Sequence, residues 1–277
     1  MPTANEMLAS AIGDFVDDPL GYVMYVFPWK DNPTIQLVEL QEPYKTRFNC
    51  DYGPDLWACE MLDQLGDEIK KRGFNGRDAV DAIRFSTASG HGIGKSTMVA
   101  WLIMFILDTR PMSMGVVTAN TGDQLRTKTW AALAQWHHLA ITSHLWDYSN
   151  SRGNMSLRRR GPFKDVWKCD GLTARAENAE AFQGLHAASS TAFYIFDEAS
   201  GIEDAIWDAR IGGATDGEPM SFDFGNPTRK SGYFFENCVG DQKHRYIVRQ
   251  IDSRDAKITN PVYLEELRHD WGEDSDL

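Results

Sequence analysis

The chain has 277 residues, 42% of them hydrophobic and 25% charged, which is enough for one large domain or two small ones with a sizeable core. A net charge of −12 argues against broad, non-specific adhesion to nucleic acid and leaves only a local basic groove open. The four cysteines (Cys50, Cys59, Cys169, Cys238) are scattered without a C-x-x-C pair, which suggests reduced thiols rather than zinc or a disulfide framework, and the N-terminus lacks the basic-then-apolar order of a signal peptide.

From residue 1 to about 80 the pattern is mostly helical. Leu8, Ile12 and Phe15 have helical spacing, with Thr3 or Asn5 as a cap. Residues 19–29 are rich in aromatics, and 30–53 read as a loop. Residues 54–72 repeat Leu56, Met61, Leu62, Leu65 and Ile69 with a helical period that Gly73 and Gly76 end. Beyond this segment short apolar strands alternate with helices. Strands are expected near 82–88, 113–118, 191–196, 219–224 and 244–249, and helices over 96–109, 121–137, 202–210 and 261–270. The alternation predicts an α/β fold with a mostly parallel central sheet flanked by helices on both faces. Residues 143–172 are more polar, with short strands expected at 155–157 and 166–168. The longest apolar run, 98–107, is too short to span a bilayer and reads as a buried helix. Trp101, Trp130 and Trp136 are expected in the core. The adjacent His137 and His138 point in different directions on their helix, so they offer no metal-ligand pair. The chain divides into a helical segment (1–80), a central α/β core (81–250) and a connecting segment (251–277).

The most informative stretch is Ser89-Gly90-His91-Gly92-Ile93-Gly94-Lys95-Ser96, between an expected strand and an expected helix. Strand, glycine-rich turn, Lys-Ser and helix make the layout of a phosphate-binding loop. Glycines let backbone N–H groups close around a polyphosphate, and the helix N-terminus adds its positive dipole end. Residues 89–97, Thr97 included, are the nucleotide-binding candidates. Lys95 is expected to reach the β/γ-phosphates and Ser96 to ligate Mg²⁺. Ser89 stands where the first glycine of the pattern usually falls, and Gly90 and Gly92 could supply the turn instead. The bland alternative is an ordinary strand-to-helix turn. Tyr194-Ile195-Phe196-Asp197-Glu198 is an apolar strand ending in two acids, the Walker B pattern. Asp197 is expected to hold Mg²⁺ and Glu198 to activate the attacking water as general base. The sequence between Lys95 and Asp197 leaves room for an extra strand between the two motif strands, as in the ASCE division of P-loop NTPases. Residues 220–224 run into Gly225-Asn226-Pro227-Thr228, where Asn226 or Thr228 could touch a γ-phosphate; a simple turn is the other reading.

The chain resembles the large terminase subunits of tailed bacteriophages, the motors that package DNA into capsids. The resemblance runs through residues 23–29 and 53–57, the phosphate loop with Ala88, residues 118–125, residues 182–186 (ending at His186), Phe196-Asp197-Glu198-Ala199, residues 224–228 and residues 272–276. It implies an ATP hydrolase that uses ATP and Mg²⁺ to drive double-stranded DNA into a procapsid. It also implies a homo-oligomeric ring that meets the phage portal and the small terminase subunit in the host cytoplasm, with no membrane. By the same resemblance, residues 225–228 are a coupling motif and Trp57 lies at the adenine, although Ala58 stands where the family often has a base-reading glutamine. No arginine occurs within 89–94, so an arginine finger must come from elsewhere. Arg126 is the first candidate and Arg158, Arg159 and Arg160 the second; Arg126 reads equally well as a plain surface residue. The family usually continues into a nuclease domain. Asp252 and Asp255 do not match its carboxylates, so no nuclease activity is expected and the chain reads as the ATPase part, from a truncated chain or a shortened gene.

DNA contacts are the least determined by sequence. Arg158–Arg160 with Lys164 and Trp167 could grip phosphates or form a solvated charge run. Arg229-Lys230 could link the coupling motif to DNA or to a neighbouring subunit. Competing readings are a helicase-like ASCE enzyme, for which no room remains for a second RecA-like domain, and a GTPase or small-molecule kinase, which lacks an Asn-Lys-x-Asp motif. A third is a non-catalytic ATP-binding remnant.

Overall fold

Eight strands form one sheet in the order β3-β4-β5-β2-β6-β7-β1-β8 in the computed structural model, which describes residues 2–272 apart from 77, 186, 188 and 189. The strands are β1 (Ile83–Ser89), β2 (Met114–Ala119), β3 (Trp146–Ser151), β4 (Asn154–Arg159), β5 (Lys168–Thr173), β6 (Ala192–Phe196), β7 (Met220–Gly225) and β8 (Ile247–Ile251). From β5 to β8 all neighbours are parallel; β4 is antiparallel to both β5 and β3. β7 lies between β1 and β6, the strands that carry the two motifs, but it comes from the chain after Asp197, while the stretch between the motifs supplies β2 to β5 on the far side of β6.

Both faces of the parallel section are buried, which is why its strands are continuously apolar rather than alternating. β6 shows the division. Phe193 and Ile195 join a core beneath the N-terminal helices and the helix after the phosphate loop, while Ala192, Tyr194 and Phe196 join a second core on the other face. The first core is built by α1 (Ala4–Gly13), α2 (Pro19–Val26), α3 (Tyr44–Phe48), α4 (Leu56–Arg72) and α5 (Lys95–Thr109). α1 begins at a reciprocal cap in which Thr3 Oγ1 accepts from the Glu6 N–H and Glu6 Oε2 accepts from the Thr3 N–H. α4 buries Trp57, Met61, Leu62, Leu65 and Ile69 and stops at Gly73, whose φ of +68° is the left-handed conformation a C-terminal glycine supplies. α5 is buried on all sides, as its unbroken apolar run requires. Residues 1–80 therefore share a core with the sheet: Tyr22 meets Phe105 edge-on at 5.5 Å and donates to Asp108 Oδ2 at 2.6 Å. Asp108 also receives Thr142 Oγ1 and Trp146 Nε1, which ties α2, α5 and β3 to one part-buried carboxylate.

After β2 the chain forms α6 (Gly122–Gln124), a π-helical turn (Leu125–Thr129) and α7 (Trp130–Leu139), where the sequence reads as one helix. The second core lies under α8 (Ala179–Gln183), α9 (Asp204–Gly213) and α10 (Tyr233–Cys238), and α11 (Pro261–Trp271) closes the described chain. Two expectations are corrected. The strand expected at 166–168 begins at Lys168, because Val166 and Trp167 both donate their N–H groups to Phe163 O and so stand in a turn. The loop expected at 30–53 contains α3 and a bridge between Glu39 and Tyr52. Trp101, Trp130 and Trp136 are buried, and the four cysteines are free and buried. Among the described residues no helix is long and apolar enough to cross a membrane.

Candidate active site

The parallel strands β1, β7 and β6 end side by side, and each delivers part of one site. β1 runs into the loop 90–94 and α5. No side chain caps α5, whose N-cap is Gly94 at φ +91°, so its first N–H groups are left to a ligand. Gly90 packs against the segment after β8: a Cβ there would stand 2.0 Å from Ser253 Oγ, which donates to His91 O at 3.0 Å. Ile93 is buried, and its carbonyl accepts Trp57 Nε1 at 3.1 Å.

Lys95 Nζ donates to Ser89 Oγ (3.1 Å), Gly90 O (2.8 Å) and Asn226 Oδ1 (2.7 Å). Asn226 follows the end of β7, and its Nδ2 donates to His91 Nε2 at 2.5 Å. The phosphate loop, its lysine and the segment after β7 are thereby joined through one amide. Thr228 turns away to Ser200, so Asn226 is the residue that the structure brings to Lys95. Burial holds the Lys95 ammonium below the usual lysine range, against the pull of Glu198 and Asp197. Ser96 and Thr97 are half-buried in the first turn of α5, and Thr97 Oγ1 accepts Trp136 Nε1 at 3.4 Å.

Asp197 follows β6 and is buried; desolvation pushes its carboxyl above the usual range, which the Thr129 hydroxyl opposes. Thr129 Oγ1 donates to Asp197 Oδ2 at 2.5 Å, and the Glu198 N–H donates to Oδ1 at 3.1 Å. Glu198 has the left-handed φ of +54°, uncommon for a residue with a Cβ and characteristic of strained functional positions. Its carboxylate stands 3.6 Å from Lys128 Nζ. The buried Asp197 carboxylate, opposed by burial and held by one hydroxyl and one N–H, is an oxygen donor of the kind that suits Mg²⁺.

Sequence reasoning missed Thr129 and Lys128. Both sit on the π-helical turn, a feature frequent at functional sites. The candidate on the same turn, Arg126, points elsewhere: it is exposed and pairs with Asp123 at 3.4 Å. Beside the loop lies a small pocket of about 120 Å³, lined by Trp57, Ile93, Thr97, Trp101, Gln135 and Trp136 among others.

In the basic run beside the antiparallel hairpin, Arg158 and Arg159 are half-buried and Arg160 is exposed, and each has a partner in the chain. Arg158 pairs with Asp165 and Asp170, Arg159 stacks 5.2 Å from the Trp167 ring, and Arg160 pairs with Asp147. Arg229 and Lys230 line a cavity of about 560 Å³ behind the phosphate loop. His186 and residues 273–276 of the family resemblance lie outside the described residues.

No family model matches the chain. A "Probable terminase, large subunit" of Enterobacteria phage P7 is 29% identical over 166 residues, 59% of this chain and 32% of that protein. The chain thus spans about a third of the length of the curated relative it matches. Among solved structures, the HK97 bacteriophage large terminase superposes with a TM-score of 0.54 at 13% identity, over 85% of this chain and 43% of that one. The ATPase domain of the Thermus phage P74-26 large terminase gives 0.51 at 16% identity, over 84% and 93%.

The chain has the fold of the large-terminase ATPase domain. A large terminase of the thermophilic bacteriophage D6E, solved in complex with ADP, gives a TM-score of 0.50 at 14% identity, over 68% of this chain and 44% of that one.

Proposed function

We propose that the chain is the ATPase part of a terminase-like motor that hydrolyses ATP to drive DNA into a phage procapsid. The observation that carries this reading is the convergence of Lys95, Asn226, Asp197 and Glu198 beside the uncapped N-terminus of α5. The triphosphate lies on the loop 89–94 and the first N–H groups of α5. Lys95 exchanges Gly90 O and Asn226 for the β/γ-phosphates, a charge-assisted contact that also repays its desolvation. Ser96 and Asp197 would hold Mg²⁺, which would neutralise phosphate charge during transfer. Glu198 accepts the proton of the attacking water, and Lys128 keeps its carboxylate at the site.

Asn226 is freed from Lys95 when the lysine moves to phosphate. Because the same amide holds His91, loss of the γ-phosphate is felt at once in the loop and in the segment 226–228. Adenine occupies the pocket beside Thr97. Trp57 supports that pocket rather than reading the base, since its N–H is committed to Ile93; Gln135 is the amide side chain at its lining.

By the same reading the chain works as a homo-oligomeric ring in the host cytoplasm, on double-stranded DNA, with the portal and the small terminase subunit as partners. Arg126, half-exposed beside Asp123, is the first candidate for the trans-acting finger, with the more exposed Arg160 among the second. Nuclease chemistry is not assigned to it: Asp252 is spent on Arg254.

The test is turnover of radiolabelled ATP and GTP by the purified chain, with and without double-stranded DNA. ATP turnover that DNA stimulates and Lys95→Ala removes is the expected result. Binding without turnover under all conditions would reduce the chain to an ATP-binding remnant.

A further inference from the structure

At the opposite end of the same strands lies a second polar cavity, of about 700 Å³. Its floor is one row across three parallel strands: Tyr194 of β6 is in register with Ser221 of β7, which is in register with Arg84 of β1. Residues in register on parallel strands share a face, and all three line the cavity. Arg84 precedes Ser89 by five positions on the same strand, so the cavity floor lies roughly 16 Å from the phosphate loop.

Two groups on this floor lack partners. Ser221 is 6% exposed, and its Oγ has no hydrogen-bond partner. Arg84 is half-buried, and among the described residues no carboxylate lies within ion-pair distance of it. Burial lowers its pKa, and Asp81 and Tyr246 act on it only through space.

The neighbouring cations are in a different condition. Arg210 is matched by Asp223, stacks 4.7 Å from the Phe196 and Trp207 rings, and donates to Tyr246 Oη at 2.8 Å. Arg72 is matched by Glu68 and also donates to Ala82 O. Tyr246, having accepted from Arg210, still has its own O–H proton to give. Arg245 adds an exposed positive charge among the lining residues, where Asp81 is the acid. An unpaired guanidinium fork, an orphan buried hydroxyl and a polarised phenol thus line one cavity of net positive lining. Protein interiors leave such groups unsatisfied only rarely, and a bound anion satisfies all three.

The structure assigns this cavity as a phosphate site, in which a tetrahedral oxyanion, free or as the phosphate of a small nucleotide, bridges Arg84, Ser221 and Tyr246. A guanidinium fork matches two oxygens of phosphate and the hydroxyls take the others. The wall beside it holds the half-buried Tyr233, backed 5.7 Å away by the buried Trp207 ring, an aromatic side chain against which a nucleobase can pack.

The test is isothermal titration of the intact chain, its phosphate loop first saturated with Mg-ADP, with inorganic phosphate in one arm and AMP in the other. One further phosphate per chain is expected, unchanged in Lys95→Ala. Arg84→Gln should weaken it about tenfold or more, and Ser221→Ala about 2- to 10-fold. Phosphate should also raise the melting temperature of the wild type but not of Arg84→Gln, which separates loss of the site from loss of the fold. Tighter binding of AMP assigns the wall to a nucleotide; equal binding assigns the site to free phosphate. Absence of any binding beyond the phosphate loop, or equal binding by a folded Arg84→Gln, overturns the assignment.

Discussion

Replacing Thr129 by valine removes one hydroxyl and almost no volume. The residue is 1% exposed, so neither water nor a cavity takes over, and Asp197 Oδ2 loses its 2.5 Å donor. A hydrogen bond to a charged group contributes about 1.5–3 kcal/mol, against about 0.5–1.5 when both partners are neutral. The pH dependence follows from the direction of the shift at Asp197. Burial raises its folded pKa above the unfolded value, so ionisation of this carboxylate opposes folding as pH climbs past the unfolded pKa, and the Thr129 bond offsets part of that cost. Thr129→Val should therefore cost most near pH 7.5 and least near about pH 2.5, below the unfolded pKa, where the carboxyl is protonated in both states. Near neutral pH the loss corresponds to a melting-temperature drop of roughly 3–5 °C for a chain of this size. Scanning calorimetry at both pH values measures it, and Thr129→Ser should restore most of the wild-type value. In ATPase assays the valine variant should need more Mg²⁺ for half-maximal turnover. A stability gap equal at the two pH values, or larger at the acid one, would refute the claim that Thr129 acts through the charge of Asp197.

Lys95→Ala should abolish ATP turnover, since charge-assisted phosphate contacts of this kind contribute about 1.5–3 kcal/mol each; wild-type activity in a clean preparation would remove the phosphate loop from the mechanism. Glu198→Gln should still bind ATP and Mg²⁺ and turn over on the order of 10²–10⁴ more slowly; if Asp197→Asn traps ATP and Glu198→Gln does not, the two roles are exchanged. In ligand-free protein Asp197→Asn should raise stability by about 0.5–2 kcal/mol while removing Mg²⁺-dependent turnover, because it deletes a buried charge. ATPase activity per subunit should rise with protein concentration, and mixing Arg126→Ala with Lys95→Ala chains should recover part of it, an arginine finger contributing roughly 10³–10⁵ in rate. A flat concentration dependence with no recovery would mean that each subunit works alone.

What the sequence made legible was whatever depends on local pattern. Strands buried on both faces read as short apolar runs, and so β1, β2, β6 and β7 lie within a residue or two of where their runs place them. The phosphate loop is legible for the same reason: Gly92 and Gly94 occupy positive-φ positions that the backbone path needs, next to an α5 that no side chain caps. The antiparallel hairpin was harder, because its strands are polar and half-exposed and its register follows from pairing with β5 rather than from its own pattern. The sequence left the arginine run open between a phosphate grip and a solvated charge run, because its partners, Asp147, Asp165 and Asp170, are brought to it only by that pairing and the adjoining turn.

The residues that hold the two acids were illegible for a different reason. Residues 121–137 have a helical period, and a uniform helix gives no cause to prefer Thr129 over Arg126 as the one that meets Asp197. The π-helical turn decides it. Its wider turn, closed by the Trp130 N–H on Leu125 O, shifts the helical phase by one residue. Leu125 and Thr129 before the shift and Trp130, Leu133 and Trp136 after it can then all be buried. That insertion puts a hydroxyl on Asp197 and leaves the neighbouring Lys128 ammonium to meet Glu198, while Arg126, three positions back, is turned to solvent and Asp123. One irregular turn thus sets the geometry of both acids at once. For that reason, in the proposed mechanism, the Thr129→Val and Lys95→Ala variants should differ in kind: Lys95→Ala would remove the proposed contact to phosphate, whereas Thr129→Val would leave Lys95 and the loop in place and move only the carboxylate proposed to hold the metal.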